Sequence, residues 1–265
     1  MISYIKSMLD EAPSNMAGES ATPAATHLFQ VNEDAEKLDE DTVHIFHHNV
    51  AKLLFLCKRA CPDIQTAVAI LCTRVKTPNI DDYKKLTRTM RFLRGTINDP
   101  LTLEADNLSL IKWWSDAAYA VHPDMKSHTG GAMTLGRGTT YGASTKQKLN
   151  TKSSTEAEVV GVSNVMPQVL WTRYFLQAQG YTVSDSLIYQ DNQSAMLLEK
   201  NGRGSSRKQT RHINIRYFFV ADRIANGEVK VEYCPTGDML ADYFTKPLQG
   251  SIFRKFCNEI MNIKA

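Results

Sequence analysis

Leu110-Ile111-Lys112-Trp113-Trp114-Ser115-Asp116 is an apolar, aromatic run that closes on a carboxylate, and Leu187-Ile188-Tyr189-Gln190-Asp191 repeats that arrangement further along the chain. Runs of this length and make-up read as strands. A long helical stretch over residues 155–179 lies between them, and such a crossover suits two neighbouring strands of one sheet whose ends meet at one edge. Taken singly, Asp116 is also a strand-ending turn residue, and Asp191 a residue at the entrance of the helix opened by Asn192 and Gln193. The pair of strands, each delivering an acid at its end, is what points to a site.

Working outward, short β-like runs at 108–114, 132–135 and 140–144 are bounded by Gly or polar residues and read as an antiparallel meander. After the long helix come a strand at 187–190, helices at 193–200 and 213–225, a strand at 229–233, and helices at 238–245 and 252–261. A meander followed by alternating strands and helices predicts an α/β domain, a mixed sheet covered on both faces. Upstream, residues 41–96 have helical periodicity, in Val50, Leu53, Leu54 and Cys57 and again in Tyr83, Leu86, Met90 and Leu93. Pro62-Asp63 and Pro78-Asn79 divide this region into three short helices, and residues 14–41, without periodicity, read as a loop or linker.

The 265 residues, 43% hydrophobic, suffice for one or two cores. A net charge of +3 permits nucleic-acid binding without arguing for it. The five cysteines, Cys57, Cys61, Cys72, Cys234 and Cys257, lack the paired spacing of a disulfide framework or zinc ribbon, which favours a reducing compartment. Cys57 and Cys61 with His47 and His48 are better explained as buried helical thiols and their neighbours than as a metal site. No apolar run approaches the roughly 20 residues of a membrane span, and Lys6, Asp10 and Glu11 make the N-terminal segment unlike a signal peptide. The expectation is a soluble intracellular protein with no membrane partner.

Glu156 and Glu158 lie at the start of the long helix, where Ser153, Ser154 or Thr155 can cap and acids are favoured. Capping explains one of them. Glu158 continues into Val162, Val165 and Val169 on the core-facing stripe, whereas Glu156 shares its row with Ser163 and Pro167, so Glu158 is the acid that needs a partner. Asp242, in Leu240-Ala241-Asp242, is by itself an ordinary helix acid. Hard carboxylate oxygens without clustered Cys or His suit Mg²⁺ or Mn²⁺ rather than zinc.

Five ordered blocks are Trp114-Ser115-Asp116-Ala117, Ser153-Ser154-Thr155-Glu156-Ala157-Glu158, Gln190-Asp191-Asn192-Gln193-Ser194-Ala195, Arg211-His212-Ile213-Asn214-Ile215-Arg216-Tyr217 and Leu240-Ala241-Asp242-Tyr243-Phe244-Thr245-Lys246-Pro247. Together they closely resemble the ribonuclease H domain of copia-type long-terminal-repeat retrotransposons. The resemblance implies a ribonuclease H-like fold with a five-stranded mixed sheet, and four acids, Asp116, Glu158, Asp191 and Asp242, holding two Mg²⁺ or Mn²⁺ ions. It implies hydrolysis of the RNA strand of RNA–DNA hybrids during reverse transcription, in a cytoplasmic virus-like particle or the nucleus. Asn49-Val50-Ala51-Lys52-Leu53-Leu54, Pro62-Asp63-Ile64-Gln65 and Arg91-Phe92-Leu93-Arg94-Gly95-Thr96 resemble the reverse-transcriptase thumb and connection of the same polyproteins. The domains expected are therefore a remnant of the polymerase palm with a linker (1–41), a helical thumb/connection-like region (42–106), the ribonuclease H domain (107–250) and a C-terminal helix (251–265). The upstream palm is an expected partner, and with no Tyr-x-Asp-Asp motif this chain is not expected to polymerise.

The chain also departs from the family. Cys234-Pro235-Thr236-Gly237, before the last acid, holds no counterpart of the family's flexible-loop histidine, so the expectation is that product release or proton transfer is slower or handled otherwise. Pro167 should kink or restart the long helix. For the substrate, a basic loop with Arg203, Arg207, Lys208 and Arg211 is a candidate phosphate clamp, and Lys146, Lys148 and Lys152 flank a path for the hybrid backbone. Asn192 and Gln193 are candidates to contact the 2′-hydroxyl, and His212 is a candidate contact or a helix-entry histidine. The rival reading is an inactive element remnant that binds nucleic acid or scaffolds a polymerase.

Overall fold

Strand β2, Leu110–Ala118, lies at the centre of a five-stranded mixed sheet in this computed structural model, which describes residues 1–201 and 211–263, with only the backbone of 201 and 211–214. The chain forms two compact units, Leu103–Thr245 and Met1–Thr102 with Lys246–Ala265.

In the first of these, after the short strand β1 (Glu104–Ala105), β2 pairs antiparallel with β3 (His128–Thr134). Past β4 (Gly136–Arg137), β3 pairs antiparallel with β5 (Tyr141–Lys146). Helix α5 (Ser154–Ala178) crosses over to β6 (Asp185–Gln190), which runs parallel to β2 with Trp114 opposite Tyr189. Helices α6 (Gln193–Asn201) and α7 (Arg211–Ala225) lead to β7 (Lys230–Tyr233), parallel to β6. The order β5-β3-β2-β6-β7, three meander strands followed by two parallel crossover strands, is that of the ribonuclease H-like fold. β1 and β4 make a separate two-residue ribbon that the hydrophobic pattern did not signal.

The sheet is covered on both faces at its inner strands β3, β2 and β6. Val162, Met166 and Val169 of α5 pack with Ile111, Trp113, Met133 and Ile188 on one side, joined by Met196 and Val220. On the other, Trp114 and Tyr189, with ring centroids 5.3 Å apart, pack against Cys234, Met239 and Ala241. The last segment there, Leu240–Phe244, is a 3₁₀-helix, where a helix over 238–245 was expected. Two glycines of β3 permit this close approach. A Cβ on Gly130 would stand 2.6 Å from the Ala241 carbonyl oxygen, and one on Gly131 would stand 2.8 Å from Val165.

Two expectations need correction. β2 does not stop before Asp116 but runs on to Ala118, with Asp116 paired opposite Gly130; the apolar run ends at Trp114, yet the ladder with β3 carries the strand further. Helix α5 does not restart at Pro167 but continues through it as one element. The proline ring lies on the exposed side of the helix, where water can take up the bonding lost with its N–H.

The second unit is helical: α1 (Ile2–Asp10), α2 (Glu40–Cys57), α3 (Gln65–Arg74), α4 (Ile80–Gly95) and α8 (Gly250–Met261). The Asp39 side chain caps α2 through the Thr42 N–H at 2.8 Å, and Asn79 with Asp82 forms a reciprocal capping box on α4. Phe46, Leu53, Leu56, Ile64, Val68, Leu71, Leu86 and Met90 fill the core. Residues 14–41, read as a linker, are irregular but packed, with Met16 and Leu28 buried. Three donors of α4 fasten them: Arg88 to Thr22 Oγ1 (2.8 Å), Arg91 to the Asn15 carbonyl (3.1 Å) and Lys85 to the Gln30 carbonyl. Helix α8 belongs to this unit, where Phe253 meets Phe92 edge-on at 5.7 Å. Donors far along the chain thus tie down a segment that carries no periodicity of its own.

Candidate metal centre

Asp116 emerges from β2 on the face away from α5 and is 3% exposed. Thr245, just beyond the 3₁₀-helix that overlies Gly130, donates its hydroxyl hydrogen to Asp116 Oδ2.

Glu158 comes from the opposite side of the sheet. Ser153 caps α5 by accepting the Glu156 N–H (3.2 Å), and Glu156 reaches back to accept the Lys152 N–H (2.7 Å). Glu156 is thus occupied with the helix start. Glu158 lies further in, 5% exposed, and its carboxylate accepts the Ala117 N–H from the last turn of the β2 ladder. Its second oxygen, Oε2, is buried with no hydrogen-bond partner among the described residues. Burial first, then the neighbouring charges of Asp116 and Asp191, hold its carboxyl well above the usual carboxylate range.

Asp191 follows β6, half-buried, and accepts from the Thr236 hydroxyl at 3.0 Å. The Asn192 side chain after it caps α6 by accepting the Ala195 N–H at 3.0 Å. One carboxylate oxygen from each of Asp116, Glu158 and Asp191 lies within 4.8 Å of the other two, a group that could hold a metal ion. The residues fit a hard divalent cation: all donors are oxygens, and an orphaned buried oxygen of Glu158 lacks what a cation supplies.

Asp242, expected as the fourth acid, is buried on the 3₁₀-helix Leu240–Phe244 but stands outside this three-oxygen group. Its carbonyl accepts the Thr245 N–H at 3.2 Å, so Thr245 links it to Asp116. The threonines 236 and 245 were not singled out in the sequence, because a hydroxyl that positions a carboxylate has no spacing signature. A neighbouring buried chain of groups was also missed: His122 Nε2 meets His128 Nδ1 at 3.0 Å, and His128 Nε2 meets Ser144 Oγ at 2.7 Å. Burial pushes His122 down to about 4 and His128 down to about 3.

The candidate substrate contacts divide. Lys146 is paired with Asp124 at 2.9 Å. Lys148, Lys152 and Gln193 are exposed, while Asn192 already serves as a cap. Arg203, Arg207 and Lys208 lie outside the described residues, as do the side chains of Arg211 and His212. Burial pushes the Cys57 thiol up to about 12, and among the described residues neither Cys57 nor Cys61 belongs to a metal-binding group.

Strand order and crossover helix define a ribonuclease H-like domain, with an acidic group that could hold metal where β2, β6 and α5 converge. Over nearly its whole length the chain matches a region of copia/Ty1-type retrotransposon Pol polyproteins. It is 28% identical over 98% of its length to a retrovirus-related Pol polyprotein from transposon TNT 1-94 of Nicotiana tabacum, and 32% identical over 92% to that from transposon RE2 of Arabidopsis thaliana. A Gag-Pol polyprotein of transposon Ty1-JR1 of Saccharomyces cerevisiae is 23% identical over 93% of the chain. The chain spans 20%, 17% and 14% of the lengths of these relatives. No protein-family model matches it. Among solved structures, LC11-RNase H1 isolated from compost aligns with 51% of this chain and 92% of its own, at a TM-score of 0.38 and 11% identity. The RNase H1 of Halobacterium salinarum aligns with 58% of this chain and 98% of its own, at 0.31 and 13%. No helix among the described residues is long and apolar enough to cross a membrane.

Proposed function

We propose that residues 103–245 form a metal-dependent endoribonuclease that hydrolyses the RNA strand of RNA–DNA hybrids during the replication of a retrotransposon inside the cell. The observation that carries this reading is the convergence of Asp116, Glu158 and Asp191, delivered by three separate elements, around an orphaned buried oxygen. Asp116, Glu158 and Asp191 would hold Mg²⁺ or Mn²⁺, with Asp242 as a further acid beside them. When bound, two such ions supply an activated water and stabilise the leaving oxygen of a phosphodiester displacement. The protein's own part is to keep its carboxylates fixed: Thr245 orients Asp116, Thr236 orients Asp191, and the Ala117 N–H orients Glu158. Exposed Lys148, Lys152 and Gln193 are available to the hybrid, and the basic segment around Arg203 and Arg207 completes the proposed grip on phosphates.

The helical unit, in this reading, is the thumb/connection-like region that meets the polymerase palm of the same polyprotein. Purified protein given labelled RNA–DNA hybrid, single-stranded RNA and duplex DNA in Mg²⁺ tests the substrate class. Cutting of RNA in the hybrid alone supports it. A folded protein that binds the hybrid without cutting overturns it in favour of a nucleic-acid-binding module.

A further inference from the structure

Behind Asp191 the fold buries two polar side chains that the ribonuclease reading does not use. Glu199 of α6 and Gln190, the last residue of β6, are both 0% exposed. Among the described residues, neither carboxyl oxygen of Glu199, nor the side-chain nitrogen or oxygen of Gln190, completes a well-formed hydrogen bond. The two groups nevertheless lie side by side, with Tyr217, which packs with Val159, Val160 and Ala195, near Glu199. Burial pushes Glu199 up to about 8. The Gln190 amide beside it, which offers both a donor and an acceptor, acts against that rise. Two orphaned groups so placed relieve each other's desolvation by pairing.

Their positions along the chain give that pair a consequence. The Gln190 carbonyl accepts the Cys234 N–H at 2.9 Å, Asp191 comes next, and Asn192 caps α6, whose last turn carries Glu199. A Glu199–Gln190 contact closes this loop from the inside. We propose that Glu199 is a positioning residue: by hydrogen-bonding the Gln190 side chain it locks α6 against the end of β6 and so holds Asp191 in the carboxylate group. The inference rests on the reading of Asp191 as a metal-site acid.

Full-length E199Q and E199M, beside wild type and D116N, test it with two readouts. Amide hydrogen exchange without divalent ions follows Ala195, Met196 and Cys234, whose N–H groups bond to Asn192 and Gln190; the Ile188 amide serves as a control for global opening. Mn²⁺ binding is followed by electron paramagnetic resonance. E199M should exchange faster at those three amides with Ile188 unchanged, and should bind Mn²⁺ about tenfold more weakly than wild type. E199Q, which can still hydrogen-bond Gln190, should match wild type in both. Unchanged exchange in E199M overturns the positioning role, whatever the metal does. Equal Mn²⁺ binding by wild type and D116N overturns the metal-site reading instead, and the exchange result still decides the role of Glu199 at the turn.

Discussion

The Thr245 hydroxyl donates to Asp116 Oδ2, while the Thr245 N–H is held by the Asp242 carbonyl. A segment arriving from the far end of the domain thus fixes the orientation of the acid on the central strand. T245V keeps the side-chain shape and removes the donor, so it should lower cleavage kcat/KM about tenfold and raise the Mg²⁺ concentration needed for half-maximal rate. T245S should recover most of the activity. Equal metal dependence in all three proteins would show that the hydroxyl does not orient Asp116.

Gly130 is the position that lets Thr245 approach. A methyl there would stand 2.6 Å from both the Ala241 carbonyl oxygen and Thr245 Cγ2. G130A should therefore destabilise the domain by about 1–3 kcal/mol, read from urea unfolding, and should lower cleavage in parallel with T245V. Wild-type stability in G130A would mean that the 3₁₀-helix can shift freely off β3.

Glu158 predicts a pH dependence of stability. Its folded carboxyl titrates well above its unfolded value, so its contribution is fully present below the ordinary carboxylate range and is lost as pH rises through the folded value. Without divalent ions the wild type should lose stability through that window, and E158Q should lose less. Mg²⁺ should restore wild-type stability most at the alkaline end, where the carboxylate is ionised. Parallel melting curves for wild type and E158Q across pH, with and without Mg²⁺, would contradict this.

The buried histidines give the opposite sign. His122 and His128 are pushed down to about 4 and about 3, so the stability of the neutral pair is present above the unfolded value of about 6.5 and is lost as pH falls towards the folded values. The unfolding free energy from urea titration should fall from pH 7 to pH 5, at up to about 1.4 kcal/mol per pH unit for each histidine. H122N should show a shallower fall, having one titrating group fewer. An equally steep fall in H122N would assign the acid sensitivity elsewhere.

Much of this domain was legible because its signals are local. Two apolar runs ending on Asp116 and Asp191, with a long amphipathic stretch between, led to neighbouring parallel strands and a crossover helix, as observed. The row shared with Val162, Val165 and Val169 separated Glu158 from Glu156, and the structure uses Glu156 at the helix start. What escaped depends on partners distant in sequence. β2 continues past Trp114 because β3 pairs with Ser115 through Ala118, not because those residues are apolar. Residues 14–41 are packed because Arg88 and Arg91 supply donors from α4. Nothing local in the sequence marks Glu199 as buried, and only the tertiary structure reveals it.

Single-turnover cleavage of a strand-labelled RNA–DNA hybrid at saturating Mg²⁺, by wild type, D116N, E158Q and E156Q, tests the central claim most directly. Cutting should be confined to the RNA strand, with a rate lowered at least about a hundredfold in D116N and E158Q and within a fewfold of wild type in E156Q. Cutting that survives in D116N and E158Q, or is absent from a folded wild-type protein supplied with Mg²⁺ or Mn²⁺, would contradict it.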